Sequence, residues 1–284
     1  MRKATGIDAL RAKAQELRAL HHATKILVLP NAWDVTSARL LEDMGFPAIA
    51  TSSAAVANSL GYPDGQHISR REMLEVVERI ASAVQVPVTA DMEAGYATTP
   101  DEMEETAHDL LDAGAVGLNL EDSADDESVL LELDKYLEKL HVIQAVSKSA
   151  DVPIVINART DAYWWKGAQA GSRLAETVLR ANAFRVAGAD CVFVPGLYDP
   201  SDIGHLRLES PGPINILATP QTPPIPELQR LGIARVSFGS GGYRTAIGAF
   251  RKLVQESIDS GAYTFMSEIA VTGAQNNALH QPKS

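Results

Sequence analysis

The chain has 284 residues, 45% hydrophobic and 21% charged, an ordinary globular composition with enough length for one large core. Its formal net charge of −11 excludes the basic surface that non-specific nucleic-acid binding needs. A single cysteine excludes a disulfide framework, no apolar run reaches bilayer-spanning length, and Met1–Leu20 has no secretory apolar core, so the expectation is a cytoplasmic protein without nucleic-acid or membrane partners.

Ile7–Leu20 places apolar residues at helical spacing and is expected to form a lead-in helix. Ile26–Pro30 reads as a strand, Asp34 as the cap of a helix to about Met44, and Ala48–Thr51 as the next strand, followed by Ser52-Ser53. A small-residue loop with the turn Gly61-Tyr62-Pro63-Asp64-Gly65 leads to Ser69, which with Glu72 forms a capping-box pattern for a helix to about Val84. Val86–Ala90 is an apolar strand running into Asp91 and Glu93. Thr99-Pro100-Asp101-Glu102 opens a helix that closes at Ala113-Gly114, and Leu118–Leu120 runs into Glu121-Asp122.

Ser123–Glu132 is acidic and mobile in character, and Leu133–Ser149 is helical in pattern. Pro153–Asn157 is a strand ending in Ala158-Arg159-Thr160-Asp161, and a helix is expected over Arg173–Ala187. Strands at Cys191–Val194, Ile214–Leu217 and Ala234–Ser237 alternate with helices at Ser201–Leu208 and Ile225–Leu231. A long helix, Tyr243–Asp259, and a short one over Tyr263–Ile269 complete a single domain over residues 1–272, and the polar tail, 273–284, is expected to be disordered.

Eight short apolar strands, each followed by a helical pattern, imply a parallel sheet closed as a (β/α)8 TIM barrel. An open doubly wound sheet would want a glycine-rich fingerprint after its first strand, and Pro30-Asn31-Ala32-Trp33-Asp34 is not one. In a barrel the site lies at the C-terminal strand ends. Those ends carry Asn31, Asp34, Ser52, Ser53, Asp91, Glu93, Glu121, Asp122, Arg159, Asp161, Ser237 and Ser240.

Ionised acids at the exits of apolar strands are costly to bury unless paired or bound to a cation, and oxygen donors suit Mg²⁺. The bland alternatives are helix caps and surface acids, and for Arg159 a structural ion pair with Asp161 or Glu121. A cation facing an arginine suits a 2-oxo or 2-hydroxy carboxylate, whose enolate both would stabilise. Trp164-Trp165 reads as a packing or rim element, Gly239–Gly242 as a tight turn ahead of a phosphate site, and Cys191 as a buried structural thiol.

The motifs Asp91-Met92-Glu93-Ala94-Gly95-Tyr96, Leu120-Glu121-Asp122 and Asn157-Ala158-Arg159-Thr160-Asp161, with Thr51-Ser52-Ser53 and Tyr62-Pro63-Asp64, resemble the isocitrate lyase/phosphoenolpyruvate mutase superfamily over about Val28 to Leu253. The resemblance implies a barrel whose C-terminal helix is swapped between subunits of a homotetramer. It also implies Mg²⁺ (or Mn²⁺ in its place) held by Asp91, Glu93 and Glu121, with Asp64 near the metal waters, and a keto-acid contacting Ser52, Ser53, Asp91 and Arg159.

One departure limits the transfer. Isocitrate and 2-methylisocitrate lyases carry a Lys-Lys/Arg-Cys-Gly-His loop after the fourth strand, whereas this chain has Ser123-Ala124-Asp125-Asp126-Glu127-Ser128-Val129. The phosphonate-processing pattern of Glu-Asp-Lys is absent too. The expected activity is therefore a Mg-dependent C–C lyase, 2-methylisocitrate lyase-like or oxaloacetate decarboxylase-like, acting on a small 2-oxo or 2-hydroxy dicarboxylate through a pyruvate enolate. Arg159 and Asp64 are its expected catalytic residues. Tyr62 or Tyr96 would serve as acid or base in a retro-aldol variant. The alternatives are a phosphonopyruvate-type C–P hydrolase or mutase and a catalytically silent dicarboxylate-binding barrel.

Overall fold

The computed structural model describes residues 6–123, 129–165 and 172–281. In chain order it contains α1 (Ile7–Leu20), β1 (Leu27–Leu29), β2 (Asn31–Ala32), α2 (Val35–Asp43), β3 (Ile49–Thr51), α3 (Ser53–Ser59), α4 (Arg70–Ala83) and β4 (Val88–Asp91). Then follow α5 (Pro100–Asp112), β5 (Gly117–Glu121), α6 (Leu133–Ser149), β6 (Val155–Arg159), α7 (Ser172–Val186), β7 (Cys191–Val194) and α8 (Pro200–Glu209). The chain ends with β8 (Ile214–Leu217), α9 (Ile225–Arg230), β9 (Arg235–Ser237), α10 (Gly241–Ser260), α11 (Thr264–Ile269) and α12 (Gly273–Leu279).

All strand pairs are parallel, in the order β1-β9-β8-β7-β6-β5-β4-β3-β2. β1 and β2 are two halves of one stave. Leu27–Leu29 pairs with β9, Asn31–Ala32 pairs with β3, and Pro30, which has no N–H to donate, separates them. The nine segments thus make an eight-stave (β/α)8 barrel. Asn31 stitches the seam: its Oδ1 accepts from the amides of Phe238 and Gly239 at 2.8 Å each, and its Nδ2 donates to the Thr51 carbonyl at 2.6 Å.

The outer layer forms because each helix buries one stripe. α4 buries Met73, Leu74, Val77 and Ile80 and starts at a complete Ser69–Glu72 capping box; α5 buries Met103, Ala107, Leu110 and Leu111 behind a Thr99–Glu102 box. α1 plugs the floor with Leu10, Ala14 and Leu17. There Leu17 sits so close to Gly117 that a Cβ at that glycine would lie 2.9 Å from its methyl group. Arg18 ties α1 to the start of β7 through Asp190 at 2.7 Å.

Three details differ from the sequence-based expectation, and a fourth expectation falls outside the described residues. The small-residue loop after Ser53 is α3, seven residues or about two alanine-rich turns capped by the Ser52 hydroxyl. β4, β5 and β6 extend through Asp91, Glu121 and Arg159, so these groups belong to the staves instead of following them. The segment from Gly273 is helical over Gly273–Leu279, started by a Thr272–Gln275 capping box, instead of disordered. The acidic stretch expected to be mobile at Ser123–Glu132 lies outside the described residues at 124–128; beside them Ser123 and Leu130 form an antiparallel bridge.

Candidate active site

Strand alternation sorts the polar residues of the staves. On β5, Asn119 and Glu121 line a cavity at the strand C-termini while Asp122 turns away from it. Asp122 is fully buried against Arg180 at 3.1 Å and the Asp161 amide at 2.9 Å, and burial pushes its carboxyl up to about 6 against the pull of Arg180. Asp34 is likewise no part of the mouth, because it caps α2 through the Ser37 amide at 2.7 Å. Asp34 thus keeps the helix-cap role read from the sequence, and for both residues a place just past a strand does not mean the mouth until the alternation is fixed.

The cavity has a volume of about 480 Å³, and its walls include Ser52, Ser53, Asp64, Asp91, Glu93, Glu121 and Arg159. Every residue assigned to the site by resemblance therefore meets in one place. A wider groove of about 730 Å³ opens beside it between α5 and α6 and shares Gln66, Ala94 and Ser123 with it, but lacks the convergent acids.

Asp91 is held on both oxygens. Its Oδ2 accepts from the Ser53 amide at 2.9 Å and the Ser53 hydroxyl at 2.8 Å, and its Oδ1 accepts from Asn119 Nδ2 at 3.3 Å. A buried chain continues from Asn119 Oδ1 to Asn157 Nδ2 at 2.7 Å. Glu93 leaves the strand with φ +49°, a left-handed backbone that costs a non-glycine residue about 1–3 kcal/mol. Its surroundings over-determine it. Tyr96 OH donates to Oε1 at 2.9 Å, the Gln66 amide donates to Oε2, and Gln66 Oε1 accepts from the Tyr96 amide at 2.8 Å.

Gly95 completes the turn at φ +94°, where a Cβ would meet Met103 Sδ at 2.9 Å and Leu120 Cδ1 at 3.0 Å, so only glycine fits. Burial, then the nearby Asp91 charge, pushes the Glu93 carboxyl up to about 7.

Glu121 and Arg159 are cross-strand neighbours in register, joined at 2.6 Å. Arg159 also forms a two-pronged pair with Asp161, Nε to Oδ1 at 2.7 Å and Nη2 to Oδ2 at 2.9 Å. Both ion pairs considered for this arginine are thus present, and the same side chain lines the cavity. Burial works against its charge, but Glu121 and Asp161 hold it firmly protonated. Burial pushes Glu121 up, helped by Asp161 and Asp91 and opposed by Arg159. Asp64, Asp91, Glu93, Glu121 and Asp161 thus share the cavity with one guanidinium, which Glu121 and Asp161 contact directly, an excess of carboxyl groups suited to a cation.

Residues 17–258 match the description of the phosphoenolpyruvate phosphomutase family. The chain belongs to that family. A protein of Mycobacterium tuberculosis with no assigned activity is 36% identical over 80% of this chain and 83% of its own length. The oxaloacetate decarboxylase of Bradyrhizobium diazoefficiens is 28% identical over 80% of this chain and 79% of its own. A Burkholderia cenocepacia crystal structure, classed by inference as a lyase or mutase, is 33% identical with a TM-score of 0.89, covering 96% of this chain and 98% of that one. Lyases and mutases share this family fold, so family membership leaves the reaction open.

Within that frame several lining residues had no signal in the motifs. Gln66 follows the Asp64 turn with φ +56° and clamps Glu93. Trp164, expected at the rim or in a subunit contact, lines the cavity with its ring 5.2 Å from the Arg159 guanidinium. Phe193 is the in-register partner of Arg159 on β7, a position strand alternation could have revealed.

Tyr62 bonds Glu72 at 3.0 Å and does not line the cavity, which removes it as acid or base there. Cys191 is fully buried with its thiol pushed up to about 12 by burial, as a structural cysteine should be. Among the described residues no helix is long and apolar enough to cross a membrane.

Proposed function

We propose that the chain is a divalent-cation-dependent lyase that breaks a C–C bond in a small 2-oxo or 2-hydroxy dicarboxylate. Decarboxylation of an oxaloacetate-like acid fits its residues best. The observation that carries this reading is the meeting of Asp91, Glu93 and Glu121 with Arg159 in one cavity.

The donor set fits the cation. All three acids offer hard oxygen atoms from neighbouring parts of the barrel mouth. Among the described residues no group of three His, Cys, Asp or Glu side chains converges as a ready-made cage. Mg²⁺ or Mn²⁺ does not need one, because Mg²⁺ keeps several waters and takes only one or two carboxylates directly. Asp91, Glu93 and Glu121 would hold it, with Asp64 facing its waters. Such a cation supplies Lewis-acid polarisation of a 2-oxo carboxylate.

The chain's own groups do the rest. Arg159, fixed by Asp161, presents a guanidinium to the developing oxyanion. Ser53 orients Asp91, and Ser52 and Ser53 bound the substrate side. Loss of CO₂ needs no protein base at the bond-breaking step, in keeping with a sequence that has neither Cys nor His between Ser123 and Val129. The test is oxaloacetate turnover with Mg²⁺, with and without a chelator. Turnover abolished by the chelator is expected; turnover that survives it, or survives Asp91→Ala, overturns the reading.

A second copy of the chain is the proposed cover for α10. This 20-residue helix buries none of its residues and leaves Ile247, Phe250 and Ile258 at 50%, 65% and 71% exposure. Swapping of the C-terminal helix within a homotetramer would bury that face. Light scattering should report an oligomer for the native chain and a smaller species for Phe250→Asp; a native monomer would remove the proposal.

A further inference from the structure

The two sides of the cavity differ in chemistry. Asp91, Glu93 and Glu121 stand on and just beyond β4 and β5, whereas Asp64 follows α3 and Asp161 follows β6. Across the mouth, β7 and β8 contribute Phe193 and Leu217 and the turn after β6 contributes Trp164, with Ser237, the in-register neighbour of Leu217, and Ser240 as the uncharged polar residues beside them. Arg159 lies between the aromatic rings, 5.2 Å from the centroid of Trp164 and 5.9 Å from that of Phe193. The indole has a made seat. Gly196 has φ +85°, and a Cβ there would lie 2.8 Å from the Trp164 ring. The Trp164 amide is fixed on the Asp161 carbonyl at 2.8 Å.

This apolar side has a consequence for a substrate with two carboxylates. Arg159 is the single cation among the described lining residues, and it already pairs with Glu121 and Asp161. The carboxylate next to the 2-oxo group would lie on the acid side, within reach of Arg159 and of the cation that Asp91, Glu93 and Glu121 would hold. The second carboxylate would then face Phe193, Leu217 and Trp164, with Ser237 as an uncharged polar neighbour and no described cation besides Arg159, whose charge Glu121 and Asp161 already hold. An unpaired carboxylate against apolar walls is destabilised relative to water, and losing it as neutral CO₂ removes that cost.

Resting on the decarboxylase reading above, we propose that Phe193, Leu217 and Trp164 form the departure subsite, which takes the leaving carboxylate without a counter-ion and so favours its release. The C3–C4 bond breaks, and its electron pair passes into the C2–C3 bond as the C2 oxygen becomes the enolate oxygen. C4 leaves as CO₂, and C3 later takes a proton from water. The wall acts on the ground state of the substrate, so its removal should split KM from kcat.

The experiment places a cation in the wall. With oxaloacetate and Mg²⁺, Leu217→Lys should lower KM and lower kcat by at least tenfold, because a paired carboxylate binds better and leaves worse. Leu217→Gln, polar but uncharged, controls for folding and should give a smaller change in the same direction.

Calorimetry on the native protein supplies a second readout with a matched, unreactive pair. 2-Hydroxy-4-methylpentanoate, in which an isopropyl group replaces the far carboxylate of malate, should bind at least tenfold tighter than malate, and Leu217→Lys should reverse that order. Malate binding tighter to the native protein, or a Leu217→Lys variant with unchanged kcat, overturns the subsite. Absence of any oxaloacetate turnover by the native protein overturns the decarboxylase reading itself and the departure role with it, whatever the binding order.

Discussion

The mouth and the floor of the barrel both bury charge, but in opposite ways. At the mouth the charge is negative, each acid is hydrogen-bonded, and the excess faces a cavity. At the floor it is positive. Arg235 on β9 has no exposure, its Nε and Nη2 have no hydrogen-bond partner among the described residues, and His21 lies 3.5 Å from its Nη1. Burial, then the neighbouring Arg235 charge, pulls His21 down to about 3. Burial likewise pulls Arg235 down to about 10. The difference teaches where unbalanced charge is useful. An excess that opens on a cavity is available to a ligand, whereas an excess sealed in the core can only tax stability.

The largest expected effect breaks the mouth. Asp91→Asn keeps the shape of the side chain but removes the charge and turns one accepting oxygen into a donor. Oxaloacetate turnover should fall by about a thousandfold, in line with the loss of a central electrostatic group, and calorimetry should show Mg²⁺ affinity falling with it. The mutant should still unfold cooperatively near the native temperature, since its neighbours Ser53 and Asn119 can rotate to suit. Arg159→Lys is next, because lysine cannot reproduce the two-pronged pair with Asp161 or the position between Trp164 and Phe193. Its kcat should fall about a hundredfold with a smaller change in KM.

The contrast between the two ends also explains what the sequence could tell. The acids at the mouth were legible because an apolar run that stops at Asp91 or Glu121 breaks the pattern of a packed strand. The alternation of staves and helices was legible for the same reason, as a change of hydrophobic period. Asp122 was misplaced because choosing between two consecutive acids needs the strand register, which only the paired neighbour Arg159 fixes. Gln66, Trp164, Phe193 and Leu217 come from different staves and loops: strand alternation could mark Phe193 and the paired tryptophans mark a rim at Trp164, but nothing local assigns any of the four to the site. Barrel closure alone brings them to the mouth. Pro30 hid the split of the first stave, and the small residues after Ser53 hid α3 because alanine marks helix as readily as loop. The floor was illegible for a simpler reason: Arg235 lies in a strand and pairs with a histidine 214 positions away.

The floor is tested by acid. His21 donates from Nδ1 to the Leu17 carbonyl at 2.8 Å, which leaves Nε2 as the acceptor facing Arg235. A proton on Nε2 would set cation against cation. The unfolded chain takes that proton near pH 6.5 and the folded chain only near about 3, so stability is complete above pH 6.5 and is lost as the pH falls between those values. The linkage predicts a loss of about 2 kcal/mol from neutral pH to about pH 5. His21→Gln should lack that part of the slope, read as the difference in urea midpoints between the two proteins at pH 7.5 and 5.0. Equal slopes would show that the floor charge is balanced after all.

The smallest expected effect sharpens the mouth. Tyr96 touches Glu93 and not the far wall, and its hydroxyl is one of two donors holding a carboxylate whose backbone is already left-handed at φ +49°. Tyr96→Phe keeps the ring and removes one donor, so Glu93 gains rotational freedom while the Gln66 amide still holds Oε2. If Glu93 holds the cation, Mg²⁺ affinity should fall by about tenfold, the lower end for a group that orients a metal ligand. Turnover at saturating Mg²⁺ should stay within a factor of about three, because the reacting groups are unmoved. A Mg²⁺ titration followed by activity separates the two. A large fall in kcat at saturating metal would instead make Tyr96 a participant in the chemistry, and would return the proton-transfer role that the decarboxylase reading does without.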